Sequence, residues 1–130
     1  MKVRSDYVTN SSSSSFIIAK HKDCTFNEIK NSVNNQRDKI KNFLSEYIKY
    51  IHPENEEIKN QFLAGNEQKA VDLAVDEIAE CLDCFTGEAS VELGEWSAHS
   101  QEFGDEDSDL FESAMYNFGC SFASEHMKIG

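Results

Sequence analysis

A repeating apolar spacing constrains this chain more than any other feature. Between residues 25 and 51, Phe26, Ile29, Val33, Ile40, Phe43, Leu44, Tyr47, Ile48 and Ile51 recur at separations of three and four, on either side of a polar stretch at 34–39. That period lines one side of an α-helix and no side of a strand. Thr25 and Glu28 stand three apart at its start, as in a capping box, and Pro53 closes it by disfavouring helical geometry at His52. The spacing predicts one long helix over 25–51 that must bury its stripe against something else.

Three further segments supply that something. Residues 54–64 suit a short helix ended by Gly65. Residues 68–84 carry Val71, Ala74, Val75, Ile78 and Leu82 on one helical face, with Gly87 as a stop. Residues 107–124 repeat the pattern with Leu110, Phe111, Ala114, Met115, Phe118 and Phe122. Strand character is confined to Phe16-Ile17-Ile18 and to residues 89–98, where Val91 and Leu93 alternate until Gly94 shifts Trp96 to the other face, as a bulge would. The expectation is a single α+β domain over 1–130, with three to four helices (25–51, 68–84 and 107–124 the main ones) on a small sheet of N-terminal and central strands. Residues 1–19 would be a strand-like element carrying the serine run, with Phe16 to Ile18 pairing with the 91–96 region. Nine phenylalanines are enough to supply a core in a chain of this length.

Charge is distributed unevenly. Of 24 acidic residues, fifteen lie between Ala70 and Met127, a span without one Lys or Arg, whereas residues 1–69 hold eleven basic and nine acidic side chains. An acidic half repels phosphate backbones, so nucleic acid is excluded as its direct ligand. The complement it predicts is a basic protein surface. Asp72, Asp76, Glu80 and Asp83 form a like-charged stripe opposite the apolar face of the 68–84 helix. Asp105, Glu106, Asp107, Asp109 and Glu112 open the last helix, where they also suit its positive end. Both groups are candidate partner-binding residues. There is no apolar run of membrane-spanning length and no signal-like segment after Lys2 and Arg4, so a cytoplasmic protein with free thiols is expected.

Metal chemistry has one candidate set. His21 and Cys24, and Cys81 and Cys84, are two ligand pairs with two intervening residues each, which could complete a tetrahedral zinc site. The competing reading makes Cys24 a hydrophobic staple before the first helix and Cys81 a border of the apolar stripe, leaving Cys84 unexplained. Asp105, Asp107 and Asp109 alternate like the start of a calcium loop, but Leu110 and Tyr116 stand where that loop needs Gly and a bidentate Glu. No catalytic residue set emerges. There is no nucleophile elbow, no zinc-protease helix and no Gly-rich phosphate loop, and His21, His52, His99 and His126 are scattered.

The N-terminus adds a resemblance. Met1, Arg4, Tyr7, Val8, Thr9, Asn10, the serines 11–15 and Phe16 to Ile18 resemble the opening of short uncharacterised bacterial and phage proteins, over about the first 18 residues. The resemblance implies no activity or cofactor. It implies a mobile-element context, in which small proteins act by binding others. The functional expectation is therefore an acidic, cytoplasmic protein-interaction module without enzymatic activity, encoded by a phage or mobile element and inhibiting a host protein through its basic nucleic-acid-binding surface. The alternative is a zinc-stabilised binding module using His21, Cys24, Cys81 and Cys84.

Overall fold

The apolar run after the serines forms the strand around which the sheet is ordered. The computed structural model describes residues 15–47, 55–103 and 109–130. Strand β1 (Ser15–His21) lies between β3 (Trp96–Glu102) and β4 (Met127–Ile129), and β2 (Ala89–Leu93) flanks β3 at the far edge, giving the order β2-β3-β1-β4 with every pair antiparallel. Alternation along β1 assigns the two faces: Phe16 and Ile18 are buried, while Ile17 between them is 47% exposed. Among the described residues, helices cover the first face and leave the second open. With five helices and this sheet among the described residues, the protein is α+β, as its periodicity predicts.

The long helix expected over 25–51 is two. Helix α1 (Phe26–Asn34) ends at Asn35, and α2 (Arg37–Tyr47) starts two residues later, within the polar stretch that interrupts the stripe. Asn34 and Asn35 hold a helix weakly, and the break lets both apolar stripes meet α4 (Glu67–Asp83). Helix α3 (Glu56–Leu63) runs close to its expected span. Helix α4 buries Ala70, Val71, Ala74, Val75, Ile78, Ala79 and Leu82, so its expected apolar face is the one it buries. Its C-terminus is closed by Lys20 of β1, whose Nζ donates to the carbonyls of Leu82 at 2.8 Å and Asp83 at 2.6 Å. A cation at that end meets both the unpaired carbonyls and the helix dipole.

Three other expectations are corrected. Gly94 is not a bulge. Leu93 pairs with Trp96, so Gly94 and Glu95 form a two-residue turn between β2 and β3, and Gly94 takes φ +66°, which such a turn requires of a residue without Cβ. Strand β1 consequently pairs with β3, and β2 lies one strand farther out. The last helix, expected over 107–124, is α5 (Leu110–Phe118) followed by a 3-10 turn (Gly119–Phe122), after which the chain returns as β4. Residues 105–107 and His52 lie outside the described residues.

Candidate functional site

The acidic stripe of α4 faces cations of its own chain. Asp72 meets the Arg37 guanidinium at 2.7 Å, Asp76 meets Lys30 at 2.9 Å, and Glu67 meets Lys41 at 3.3 Å. Three basic residues of the first half, Lys30, Arg37 and Lys41, thus sit on α1 and α2 alongside the acids that sequence separated from them. Glu80 and Asp83 are exposed and have no ion-pair partner among the described residues. At the start of α5, Asp109 is a helix cap, accepting the Glu112 N-H at 2.8 Å, and Glu112 accepts from Gln101 at 3.2 Å.

The β2–β3 hairpin has less such compensation: among the described residues, Glu95 meets Lys22 at 3.4 Å, and Glu88, Glu92 and Glu102 meet no lysine or arginine. Ala89, Val91 and Leu93 share the open sheet face with Ile17, Ala98 and Trp96, through the pairings Val91 with Ala98 and Leu93 with Trp96. Val91 is 52% and Leu93 62% exposed, and all five residues of β2 are open to solvent. No Lys or Arg stands between Glu88 and Glu102, and Glu88, Glu92, Glu95 and Glu102 ring the hairpin.

The four expected zinc ligands are not gathered. Among the described residues, the one group of three or more potential ligands with donor atoms within 4.8 Å of one another is His21, Asp23 and His126. His21 belongs to it, and the cysteines do not. Cys81 donates to the Glu77 carboxylate at 3.7 Å, and burial, reinforced by that acid, pushes its thiol up to about 12. Burial also raises Cys24, with Glu28 adding to it, and lowers Lys20 against the pull of Asp83.

The His21 cluster is assembled from both ends of the chain. His21 ends β1, Asp23 follows in the turn, and His126 precedes β4; the His21 N-H donates to the His126 carbonyl at 2.9 Å, and the rings lie 5.4 Å apart by centroid. Each ring is held from behind by a carboxylate. His21 Nε2 lies 2.9 Å from Glu95 Oε1, and its Nδ1 accepts the Asp23 N-H at 3.0 Å. His126 Nδ1 lies 2.7 Å from Glu28 Oε1, while Glu28 Oε2 accepts the His126 N-H at 2.8 Å and the Ser124 hydroxyl. The Ser124 hydrogen bond, followed by those from His126, holds the Glu28 carboxyl down to about 2. The same Glu28 contact raises His126 above its ordinary value.

Sequence reasoning found His21 but missed Asp23, Glu28, Glu95 and His126 as one group. The signal was present only in part: Thr25 does cap the Glu28 N-H at 3.1 Å, yet the Glu28 side chain leaves the box and crosses to the C-terminal turn. No protein-family model, curated protein or solved structure matches the chain. Among the described residues, no helix is long and apolar enough to cross a membrane.

Proposed function

We propose that this protein is a small cytoplasmic interaction module that receives an extended, basic segment of a partner protein along β2 and the open sheet face beside it. One observation carries the reading: β2 is a sheet edge whose five residues are exposed, with Val91 and Leu93 uncovered and carboxylates around them. Natural edge strands are usually blunted by Lys, Pro or a covering loop, because free N-H and C=O groups pair with any extended chain. Strand β2 has neither Lys nor Pro. An added strand would draw affinity from main-chain hydrogen bonds and selectivity from alternate side chains, apolar over Val91 and Leu93 and cationic towards the glutamates. In the mobile-element setting implied by the first eighteen residues, the fitting target is the basic nucleic-acid-binding surface of a host protein, which the module would block. The contribution of Asp72 and Asp76 to that target is small, since each already holds a cation.

The reading is tested with a peptide alternating Ile and Lys, against its Ile/Glu counterpart, by calorimetry and amide exchange on the intact chain. The expected result is binding of the Lys peptide alone, new protection at residues 89–93, and loss of both on Leu93→Lys. Binding of neither peptide, equal binding of both, or protection centred on α4 overturns it. So does a concentration-dependent dimer that buries β2 against a second copy.

A further inference from the structure

We propose that His21, Asp23 and His126 form a binding site for a divalent metal ion of the zinc class, with one coordination position left to water or an external ligand. The three donors lie within 4.8 Å of one another and are contributed by the end of β1, the turn after it and the turn before β4. Two imidazoles and a carboxylate are a common ligand set for zinc, which binds nitrogen and oxygen at about 2 Å and keeps a fourth position open where three protein ligands are present. Ligand atoms around such an ion stand roughly 3.3 Å apart, so the cluster must contract on binding. Asp23 is the ligand able to do this, being 64% exposed and on a turn.

What distinguishes the cluster from two neighbouring histidines is the layer behind them. A metal-bound histidine ordinarily gives its other ring N-H to a carboxylate, which fixes the tautomer and makes the ligating nitrogen more basic. Both histidines have that arrangement: Glu28 engages His126 at Nδ1 and so leaves Nε2 for a metal, and Glu95 engages His21 at Nε2 and leaves the Nδ1 lone pair. On His21 the ion would replace the Asp23 N-H that Nδ1 now accepts. The Glu28 carboxylate is itself fixed by Ser124 and the His126 main chain, so the support does not depend on the metal. An ion in this place ties the start of α1 and the end of β1 to the C-terminal strand.

The site is tested by titrating metal-stripped, tag-free protein with Zn²⁺ in a calorimeter and with Co²⁺ in the visible spectrum, alongside thermal melting. One equivalent should bind, raise the melting temperature and give Co²⁺ the absorption of a low-coordinate ion. Asp23→Asn, a change on an exposed side chain, and His126→Gln should each weaken binding at least tenfold. Glu28→Gln, a positioning change, should weaken it by roughly 10–100-fold with the Co²⁺ spectrum altered rather than abolished. No saturable Zn²⁺ binding, or equal affinity in the parent, Asp23→Asn and His126→Gln proteins, overturns the site. Loss of binding in Cys81→Ser or Cys84→Ser with Asp23→Asn unaffected overturns it as well.

Discussion

The outer face of α4 and the β2–β3 hairpin are both acidic, and they differ in what stands next to the charge. On α4, Asp72 and Asp76 are matched by Arg37 and Lys30 from the helices packed alongside. On the hairpin, Lys22 reaches only Glu95 at 3.4 Å, Glu92 accepts from the neutral Ser97 hydroxyl at 2.9 Å, and apolar Val91 and Leu93 remain uncovered between the acids. A run of like charge in sequence therefore marks a partner surface only where the fold does not bring the opposite charge to it. The helix face is closed electrostatically at Asp72 and Asp76, and the hairpin is open in main-chain hydrogen bonding and largely open in charge.

The largest effect that can test this contrast is on the hairpin's attachment. Gly87 leads into β2 at φ +62°, and a Cβ placed there would lie 2.4 Å from the Ser100 carbonyl oxygen of β3. Gly87→Ala combines left-handed strain of about 1–2 kcal/mol with overpacking of about 1–3 kcal/mol, and should lower stability by roughly 2–5 kcal/mol in urea unfolding. Gly65→Ala, in the turn before α4 at φ +90° with open space around it, carries only the backbone term. Amide exchange should then accelerate across 89–93 in the first variant and leave α4 protected. Equal losses for the two glycines would mean that the hairpin is not held by the close approach at Ser100.

The next effect lies between the two regions, at Glu28. Its carboxyl is held at about 2, against an ordinary 4.5, by Ser124 and His126. A depressed carboxyl contributes stability that is complete above the ordinary value and is lost as pH falls through the folded one, so metal-free protein should lose this share between about pH 4.5 and 2. Glu28→Gln should cost about 1.5–3 kcal/mol at pH 6, as hydrogen bonds to a charged group do, and should flatten the acid limb. An acid limb of unchanged steepness in the variant would remove Glu28 as its source.

Helical periodicity carried most of the fold. The buried faces of α1, α2, α4 and α5 follow it because a stripe at spacings of three and four has one way to be covered. The break at Asn35 was visible as polarity but not as a break, since a polar turn of helix and a helix terminus look alike until the neighbours are known. Gly94 was misassigned because a bulge and a two-residue turn both need the same glycine freedom, and only the pairing of Leu93 with Trp96 separates them. Strand β4 is three residues long and has no periodicity of its own. The His21, Asp23 and His126 cluster was the least legible feature. Glu28 and His126 are 98 positions apart, and their meeting depends on β4 pairing with β1, which no local spacing encodes.

The smallest predicted effect is the one that reverses the simplest reading of the acidic stripe. Like charges four apart on an isolated helix repel by a few tenths of a kcal/mol, so Asp72→Asn with Asp76→Asn would stabilise a bare α4. In the folded protein each change also removes an ion pair, with Arg37 or Lys30, in which both partners keep contact with water. Exposed pairs contribute about 0.2–1 kcal/mol and weaken as salt screens them. The two terms nearly cancel, and the closer Arg37 contact, supported by Gln68 at 2.9 Å and Asn34 at 2.7 Å, tips the sum towards the pairs. The double variant should lose on the order of 0.5 kcal/mol in low salt and approach the parent in 1 M NaCl, as compared by urea midpoints. On the proposed reading, which puts the binding charge on the hairpin, its affinity for the Ile/Lys peptide should not change. A gain in stability at low salt would show that the α4 acids are unpaired in solution, and a drop in peptide affinity would return the partner surface to this helix.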